Sequence, residues 1–489
     1  MGPLLSTGSR VSCRTIAAAF LLAASLGVHA APVRHVLLVS IDGLHALDLR
    51  NFLVGHPHSA LAGLAETGIE YTNAASPPPA DSFPGLLALV TGGTPEVTGV
   101  YFDVSYARRL SPAGSRCRKI GTAVAFDESM DGKNGSLDPA MLPLDPAGCK
   151  PLYPHSYLKV NTVFEVVRQS GGYTAWIDKH PVYEIVEGPS GKGLNDLYTP
   201  EIGENAEGAS NGITSSTSAT ESYDAMKVRA LIEEIDGKTH DGKKAAPVPT
   251  LFGLNLQEVN VAQKLYGYAD AQGIPSGKLE TVMANCDRLI GKIVSELKKK
   301  RLLDSTLLIV TAKHGNGPID PQKLRHVDEK AIARAVGKSG AAAKITADRS
   351  ALIWLDDRSK TALAARALQA DGGRLGIGRL LYGDSLSLIF PQDARSPDIV
   401  VIPEAGVIYA RAGDKKKAEH GGFDRDDTHV ALLVSNPSLK PELVRAAVST
   451  TRVAPTLLDA LGISPDALQA VRIQGTPALP GHDWKSAAR

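Results

Sequence analysis

Three short apolar runs, each bounded by polar residues, stand out in the pattern of hydrophobic and polar positions along the chain. They cover residues 35–41, 307–312 and 430–435, and the first two end at Asp42-Gly43 and Lys313-His314-Gly315. A continuous run rich in β-branched residues is typical of a strand buried on both faces, as in a parallel sheet. Open α/β sheets place their active sites at strand ends. The pattern therefore predicts an α/β fold with functional side chains at one sheet edge.

Between the first two runs, apolar residues recur at spacings of three and four from Leu279 to Leu297, with Lys and Asp on the other face. This period predicts an amphipathic helix. The basic residues 298–301 that follow suit a helix C-terminus, so we interpret them as a solvated helix end. Residues 203–221 are small and polar and predict a surface loop. Residues 320–400 mix a helix-like stretch with short strands, which predicts a small cap or insert beside the sheet.

The first 30 residues have the pattern of a secretory signal peptide. Arg10 and Arg14 precede an apolar run over residues 16–28, and Val28-His29-Ala30 offers small residues for cleavage. We expect cleavage near Ala30, with an uncleaved N-terminal anchor as the alternative. No later apolar stretch approaches the length of a membrane span. The sequence thus predicts an exported protein, periplasmic or extracellular, whose mature chain 31–489 has no membrane span.

Composition narrows the class of partner and the redox chemistry. The chain has 489 residues, with 53 Lys and Arg against 52 Asp and Glu. This balance argues against nucleic acid as a partner, while a small phosphorylated substrate stays compatible because a local site can be positive. Cys117 and Cys149 flank a loop-like stretch and can form a disulfide in an exported protein. Cys286 lies on the apolar helix face, where a buried free thiol is expected.

Ser82 is the candidate nucleophile. It lies in Asp81-Ser82-Phe83-Pro84-Gly85, directly before an apolar, helix-like run. A serine in this place can be a helix N-cap. It also suits attack on phosphorus, because amides at a helix start stabilise a phosphoryl group. A hydroxyl needs a base or a metal to activate it, and the chain has no GxSxG elbow, so a metal-bound serine alkoxide is favoured over a metal-free serine esterase.

Three further polar residues are candidate metal ligands. Asp42 follows the first predicted strand, His314 follows the second, and His420-Gly421-Gly422 precedes the third. Each alone has an ordinary structural interpretation, as a turn aspartate or a structural histidine. Together at one sheet edge they predict a converging ligand set for a divalent cation.

The order of these motifs resembles the type I phosphodiesterase/nucleotide pyrophosphatase branch of the alkaline phosphatase superfamily. The resemblance runs from about residue 35 to about residue 481 and includes the helix entry Val453-Ala-Pro-Thr-Leu-Leu. It implies an alkaline phosphatase-like α/β sandwich, with a mostly parallel central sheet and helices on both faces. It also implies two zinc ions around a Thr or Ser nucleophile, and hydrolysis of phosphodiester or pyrophosphate bonds through a covalent phospho-enzyme.

By the same resemblance, Ser82 is the nucleophile, Asp42 and His314 bind the ion that activates it, and His420 binds the second ion. The chain departs from the family pattern at four positions. Lys313 stands where the family has Asp, and Val259 and Gln263 stand where the second ion needs Asp and His. Asp103 stands where the family has an oxyanion-stabilising Asn. Glu258, Asn260 or the acidic run 424–427 are the alternative ligands, so the resemblance leaves one or two zinc ions open.

The sequence therefore predicts an exported, metal-dependent hydrolase of phosphoric esters or anhydrides that acts through a phosphoserine. Lys313 is expected to neutralise non-bridging oxygens, and His180 and Lys192 are candidates for contacting an anionic substrate, with ordered surface loops as their alternative. Two other functions stay open. One is a phosphonate or sulfate-ester hydrolase on the same scaffold, and the other is a non-catalytic exported binding protein.

Overall fold

A computed structural model of the chain describes residues 1–2, 31–132, 135–203 and 212–488. The predicted signal peptide and its cleavage position near Ala30 lie outside these residues. Residues 31–489 form one unit. None of the helices described is long and apolar enough to cross a membrane.

An eight-stranded, mostly parallel sheet forms the centre of the protein. Five neighbouring strands at its middle and one side all run parallel. The first predicted strand, His35–Ile41, lies between Leu251–Leu256 and Thr306–Thr311. Their side chains are almost all buried, as the continuous apolar runs predict. In sheet order, the eight strands are Glu442–Val444, Gly68–Tyr71, Leu432–Ser435, Thr306–Thr311, His35–Ile41, Leu251–Leu256, Ala175–Ile177 and Asp196–Tyr198.

The third predicted strand reaches the same sheet edge by the opposite direction. Leu432–Ser435 runs antiparallel to Thr306–Thr311, with Leu432 opposite Thr311. The start of this strand therefore lies beside the carboxyl end of its neighbour. Residues that precede Leu432–Ser435 and residues that follow Thr306–Thr311 consequently meet at one edge of the sheet, which explains how His420 and His314 come together.

Helices cover both faces of the sheet. On one face the long helix Gly277–Lys299 packs with its neighbours Thr217–Ile235, Glu258–Tyr266 and Ala60–Glu66. On the other face Ser82–Thr91, Val163–Gln169 and Val453–Ala460 pack together. The remaining described α-helices are Ala46–Gly55, Pro95–Thr98, Pro154–Tyr157, Glu329–Gly337, Thr361–Ala370, Gly372–Leu375, Asp384–Ser387, Arg425–Thr428 and Gln469–Gln474.

The predicted amphipathic helix is confirmed as Gly277–Lys299. Its apolar stripe from Leu279 to Leu297 is buried, and Cys286 within that stripe is a buried free thiol. Lys298 and Lys299 lie in the last turn and are exposed, in agreement with their interpretation as a solvated helix end.

A smaller antiparallel sheet is formed by strands between residues 343 and 403, which overlap the segment predicted over residues 320–400. Its helices Glu329–Gly337 and Thr361–Ala370 share an apolar core with one face of the sheet. Tyr101 and Phe102 pack with other side chains of the same sheet and connect it to the main part of the chain. In sheet order, its strands are Ala343–Ala347, Ala351–Leu355, Ile399–Pro403 and Ile377–Tyr382.

Short strands complete the described structure. They pair as Ala74–Ala75 with His429–Val430 and Val448–Ser449, Val104–Ala107 with Thr122–Ala125, Leu144–Asp145 with Lys150–Pro151, and Arg325–Asp328 with Val407–Ala410.

Two predictions about loops have different outcomes. The loop predicted over residues 203–221 is wrong at its C-terminal end, because helix Thr217–Ile235 begins there with the Ser216 side chain capping the amide of Ala219. The residues in this segment are small and polar, but the serine cap and the buried side chains of Thr220 and Tyr223 favour a helix. Residues 204–211 of this prediction lie outside the described residues. Cys117 and Cys149 form a disulfide.

Candidate active site

Ser82 is the first residue of helix Ser82–Thr91, which we call the serine helix. The N-cap is Asp81, whose side chain accepts a hydrogen bond from the amide of Phe83 at 3.3 Å. The alternative interpretation of Ser82 as the N-cap is therefore wrong. Since the preceding aspartate caps the helix, the serine hydroxyl is available for other contacts.

The serine helix approaches the central sheet closely at Gly85. A Cβ added at Gly85 would lie 1.8 Å from the carbonyl oxygen of Lys313, so only glycine fits there. This contact joins the start of the helix to the residue that follows strand Thr306–Thr311. It brings the Ser82 hydroxyl within reach of His314, the next residue along.

The structure brings together the four residues that sequence reasoning singled out as nucleophile and ligands. Ser82 Oγ lies 3.3 Å from Nε2 of His314, and the same nitrogen lies 2.8 Å from Oδ1 of Asp42. The rings of His314 and His420 are 4.4 Å apart. Asp42 and His314 are fully buried, while the side chain of His420 keeps 11% of its surface exposed.

Lys179 completes this group, and sequence reasoning missed it. Its Nζ donates to Oδ2 of Asp42 at 3.1 Å, to Oγ of Ser82 at 3.4 Å and to Oε1 of Gln257 at 3.3 Å. An ammonium has three protons to donate, and each of these acceptors can take one. Lys179 follows Asp178 directly after strand Ala175–Ile177, so the rule that polar residues follow buried strands could have found it. That strand is too short for its apolar run to stand out.

Lys313 lies beside this group but faces a different partner. Its Nζ is 3.0 Å from Oδ1 of Asp178, and both side chains are fully buried. The same nitrogen lies 4.0 Å from the centre of the Tyr183 ring, which adds a cation–π contact. We call the set of Asp42, Ser82, Asp178, Lys179, Lys313 and His314 the lysine cluster.

Burial and neighbouring charges set the protonation of the cluster. Burial alone would raise the pKa of Asp42, but the neighbouring ammonium of Lys179 holds that pKa well below its ordinary value. Burial would lower the pKa of Lys179, yet the carboxylates of Asp42 and Asp178 outweigh it and raise that pKa. Burial lowers the pKa of Lys313 to about 8 despite its pairing with Asp178. The cluster therefore contains ionised aspartate and lysine at neutral pH.

Gln263 and its neighbours form a second, neutral network beside Gly43. Nε2 of Gln263 donates to the carbonyl of Gly43 at 2.9 Å and to Oδ2 of Asp48 at 2.7 Å. Oε1 of Gln263 accepts from Asn316 at 2.8 Å, and the Tyr268 hydroxyl donates to Asp48 at 3.0 Å. We call Asp48, Gln263, Tyr268 and Asn316 the amide cluster.

The amide cluster is packed against the backbone of the first strand's end. Gly43 has φ +79°, and a Cβ there would lie 2.4 Å from Oε1 of Gln263. Val259, one turn earlier on the helix of Gln263, is part of the apolar core. This region therefore consists of hydrogen-bonded amides and apolar side chains, with burial raising the pKa of its one carboxyl group, Asp48, to about 7.

Acidic side chains lie on the other side of Ser82. Nδ1 of His420 is 3.7 Å from Oδ2 of Asp81. Burial raises the pKa of Asp81 to about 7, and burial together with Asp81 raises the pKa of Asp103 well above its ordinary value. Burial lowers the pKa of His420 well below its ordinary value, so the ring is neutral. Asp103 thus opposes an oxyanion less than a fully ionised carboxylate would.

The two predicted substrate contacts have different surroundings. Nδ1 of His180 bonds to the carboxylate of Glu201 at 2.7 and 2.8 Å, and its ring stacks on Tyr183, which itself contacts Lys313. Lys192 is exposed in the loop after residues 181–187. Its role in substrate binding stays a prediction.

Three of the alternative ligands from the sequence are engaged elsewhere. Asn260 accepts a hydrogen bond from Asn316, and Glu258 accepts one from Asn285. Asp427 lies 3.4 Å from the guanidinium of Arg349. Within the described part of the chain, the group of side chains that can hold a metal ion is instead Glu128, His180 and Glu201, whose ligand atoms lie within 4.8 Å of one another.

The residues present do not fit the two-zinc centre that the resemblance implies. For the first ion, an ammonium from Lys179 contacts both Asp42 and Ser82, and Lys313 replaces a carboxylate ligand. For the second, His420 remains, while Val259 has no donor atom and Gln263 is bonded to four groups of the fold. Zinc ligation by Asp42, Ser82, His314 and His420 is therefore a prediction that this arrangement of lysines and amides opposes.

Comparison with known proteins agrees with the resemblance. The family model for type I phosphodiesterase/nucleotide pyrophosphatase matches residues 36–424. The fold is similar to an inactive variant of murine ectonucleotide pyrophosphatase/phosphodiesterase 5 solved with AMP (TM-score 0.60, 16% identity, 88% of this chain and 96% of that chain covered). It is also similar to the human protein of that name (0.56, 15%, 93% and 99%) and to wild-type alkaline phosphatase PafA (0.62, 14%, 89% and 97%). No curated protein sequence matches the chain.

Proposed function

The chain belongs to the type I phosphodiesterase/nucleotide pyrophosphatase family of hydrolases, and on that premise we propose that it cleaves small phosphoric esters or anhydrides through a covalent phosphoserine at Ser82. The observation that carries the proposal is the position of the Ser82 hydroxyl. It lies at the start of a helix, 3.3 Å from the ring nitrogen of His314 and 3.4 Å from the ammonium of Lys179. A nucleophile, a base and a positive charge therefore meet at one atom.

In the first step, Ser82 attacks phosphorus. The Oγ–P bond forms, the bond from phosphorus to the leaving oxygen breaks, and the hydroxyl proton passes to Nε2 of neutral His314. The ring's other proton is on Nδ1, which faces the carbonyl oxygen of Gly315 at 3.3 Å. Asp42, 2.8 Å from Nε2, stabilises the imidazolium. The leaving oxygen departs on the opposite side of phosphorus and takes its proton from water, while His314 keeps the proton from Ser82. General acid–base help of this kind is worth about 10²–10⁴ in rate.

In the second step, water attacks the phosphoserine. The bond from the water oxygen to phosphorus forms and the P–Oγ bond breaks. His314 returns its proton to Oγ of Ser82, and the attacking water releases a proton to solvent. Phosphate or a phosphate monoester leaves. In both steps the ammonium of Lys179, 3.4 Å from Oγ of Ser82, lies beside the non-bridging oxygens, where its positive charge stabilises the transition state.

The family is metal-dependent, but no step above uses a metal ion, because the described residues do not fit the implied zinc pair. Lys313 supports the site by holding Asp178, and His180 stays a candidate for contacting the substrate because it follows Lys179 directly. A small phosphorylated substrate also agrees with the AMP bound to the murine relative.

We also propose that the protein is exported. The support is the disulfide between Cys117 and Cys149, since disulfides persist in oxidising compartments. Sequencing the N-terminus of protein purified from the periplasm or the medium tests this. A mature chain that begins near residue 31 supports export, and a protein that retains residues 1–30 and stays in the cytoplasm contradicts it.

The test of the hydrolase proposal is Ser82→Ala, assayed on p-nitrophenyl phosphodiester and monoester substrates. We expect the wild-type protein to release p-nitrophenolate and the variant to lose about 10³-fold or more of kcat. Acid quenching of a wild-type reaction followed by peptide mass spectrometry should show phosphate on Ser82. The exposed Ser464 gives the matched control, and Ser464→Ala should retain wild-type kcat.

Two results would contradict the proposal. A Ser82→Ala variant that is folded and fully active would remove Ser82 from the chemistry. A wild-type protein that cleaves no ester yet binds phosphate would instead support the non-catalytic binding protein.

A further inference from the structure

Lys179 occupies a position where a divalent cation would otherwise act. Its ammonium contacts one carboxylate oxygen of Asp42 and the nucleophilic oxygen of Ser82, which are two of the three atoms that an activating ion would bind. The third, Nε2 of His314, lies beside both of these residues at 2.8 and 3.3 Å. Lys179, which follows Asp178 at the sheet edge, therefore places its ammonium beside these three atoms.

The contacts of Lys179 hold its ammonium in one place. Besides Asp42 and Ser82, the ammonium of Lys179 donates to Oε1 of Gln257. The side-chain amide nitrogen of Gln257 in turn donates to Asp42. Gln257 and Asp42 follow two adjacent parallel strands, so their spacing is set by the sheet. A flexible surface lysine has no such restraint. This arrangement fixes the positive charge beside the Ser82 hydroxyl.

Lys313 adds a second positive charge at the position of a lost carboxylate ligand. Its pairing with Asp178 at 3.0 Å is fully buried, and Asp178 also accepts hydrogen bonds from Trp176 and from the amide of Lys179. Asp178 thus links the two lysines. A cation entering between them would meet two ammonium groups at short range, and in a buried site that repulsion is poorly screened.

An anion entering the same place meets favourable groups. The side chain of Lys179 is 12% exposed, whereas Asp42, Asp178 and Lys313 are fully buried. An incoming oxyanion therefore reaches Lys179 ahead of the buried carboxylates.

We infer that the ammonium of Lys179, supported by the Lys313–Asp178 pair, replaces the activating metal ion, so that the site binds a phosphoryl oxyanion without a divalent cation. The inference rests on the proposed function, because it concerns the same pocket. It assigns Lys179 to substrate binding and to charge stabilisation, and it assigns Lys313 to positioning Asp178 and Lys179.

The experiment measures binding of inorganic phosphate by isothermal titration calorimetry in excess EDTA, together with the metal content of the purified protein. We expect less than stoichiometric zinc and phosphate binding that EDTA does not change. Lys179→Met keeps the length of the side chain and removes its charge, and it should weaken phosphate binding about tenfold or more, as for loss of one charge-assisted contact. Lys440→Met is the matched control, since Lys440 is exposed beyond the opposite end of strand Leu432–Ser435, and its affinity should equal that of the wild type.

The outcomes separate the inference from the proposed function. Stoichiometric zinc together with loss of phosphate binding in EDTA overturns the inference, even if Ser82-dependent turnover remains. Metal-free phosphate binding that depends on Lys179 supports it, even if no ester is cleaved. If thermal unfolding shows that Lys179→Met does not fold, the wild-type measurement decides alone. Phosphate binding or hydrolysis that is lost in EDTA and restored by added zinc contradicts the inference. Phosphate binding or hydrolysis that neither EDTA nor zinc changes supports it.

Discussion

The lysine cluster and the amide cluster lie on either side of the Asp42-Gly43 turn, at the end of one strand. In the lysine cluster, ionised groups face each other: Lys179 contacts Asp42, and Lys313 pairs with Asp178. In the amide cluster, Gln263 donates to Gly43 and Asp48, and the one carboxyl group has its pKa raised to about 7 by burial. Both regions stand where the family resemblance implies a zinc ion, and neither has kept the implied ligands.

The difference between them shows two ways to lose a metal ligand set. Around Ser82, positive charge is kept in another form, because an ammonium reaches the carboxylate and the nucleophile. Around Gln263, the charge is gone and hydrogen bonds between neutral groups fill the space. A buried polar group must be paired in either case. We therefore expect the lysine cluster to carry the function and the amide cluster to support the fold.

The largest expected effect comes from restoring a set of metal ligands in the lysine cluster. Replacing Lys179→Ala and Lys313→Asp together removes both ammonium groups and supplies the missing carboxylate beside Asp42, Ser82 and His314. In the wild type, a bound zinc ion would face two ammonium groups, and an uncompensated buried charge costs ~3 kcal/mol. Removing both ammonium groups should therefore raise zinc affinity about 100-fold or more over the wild type. Calorimetric titration with zinc measures it.

The control for this double variant is the same pair of changes with Asp42→Asn added. That triple variant should lose most of the gain, since one ligand is neutralised. If the folded double variant binds zinc no better than the wild type, the lysines are not what keeps the ion out.

A second change breaks the charge pairing itself. Lys313→Met removes one partner of a fully buried ion pair and leaves the Asp178 carboxylate without that ammonium, so we expect the free energy of unfolding to fall by ~3 kcal/mol. Urea unfolding measures the change. Combining Lys313→Met with Asp178→Asn should cost less than the two single changes added together. The pair adds little to stability if the cost of the double variant equals the sum of the two single costs, or if Lys313→Met has no cost at all.

The smallest expected effect is on the pH dependence of stability and comes from Asp48 in the amide cluster. An aspartate in an unfolded chain titrates near pH ~4, whereas burial raises the pKa of Asp48 to about 7. Between these values the folded protein holds a proton that the unfolded chain releases, so the free energy of unfolding falls as the pH rises through that window. Asp48→Asn removes this titration and should flatten the pH dependence by ~1 kcal/mol or more.

Urea unfolding at pH 4.5, about half a unit above the unfolded value, and at pH 7.5, about half a unit above the folded value, measures the effect. The exposed Asp466→Asn is the control and should leave the slope unchanged. An unchanged slope in Asp48→Asn would mean that Asp48 is ionised in the folded protein near neutral pH.

Much of the fold could be predicted from the sequence. The strand His35–Ile41 and the helix Gly277–Lys299 follow from apolar patterning, because a buried strand must be apolar on both faces and a helix on one sheet face must repeat every three or four residues. The order of the motifs around Asp42, Ser82, His314 and His420 indicated the family, which the match over residues 36–424 shows. Local sequence determined these features because each depends on neighbouring residues alone.

The tertiary structure decided the chemistry of the site. Asp81 caps the serine helix in place of Ser82, which frees the nucleophile, and the sequence allowed either residue. The sequence showed that Lys313, Val259 and Gln263 are poor metal ligands, but it could not show that Lys179 reaches Asp42 from 137 positions away. Contacts between distant residues depend on strand order and on the direction of each strand, and a single sequence does not specify either. Patterning therefore determined the sheet and its helices, while the packing of strand ends determined which charges meet at Ser82.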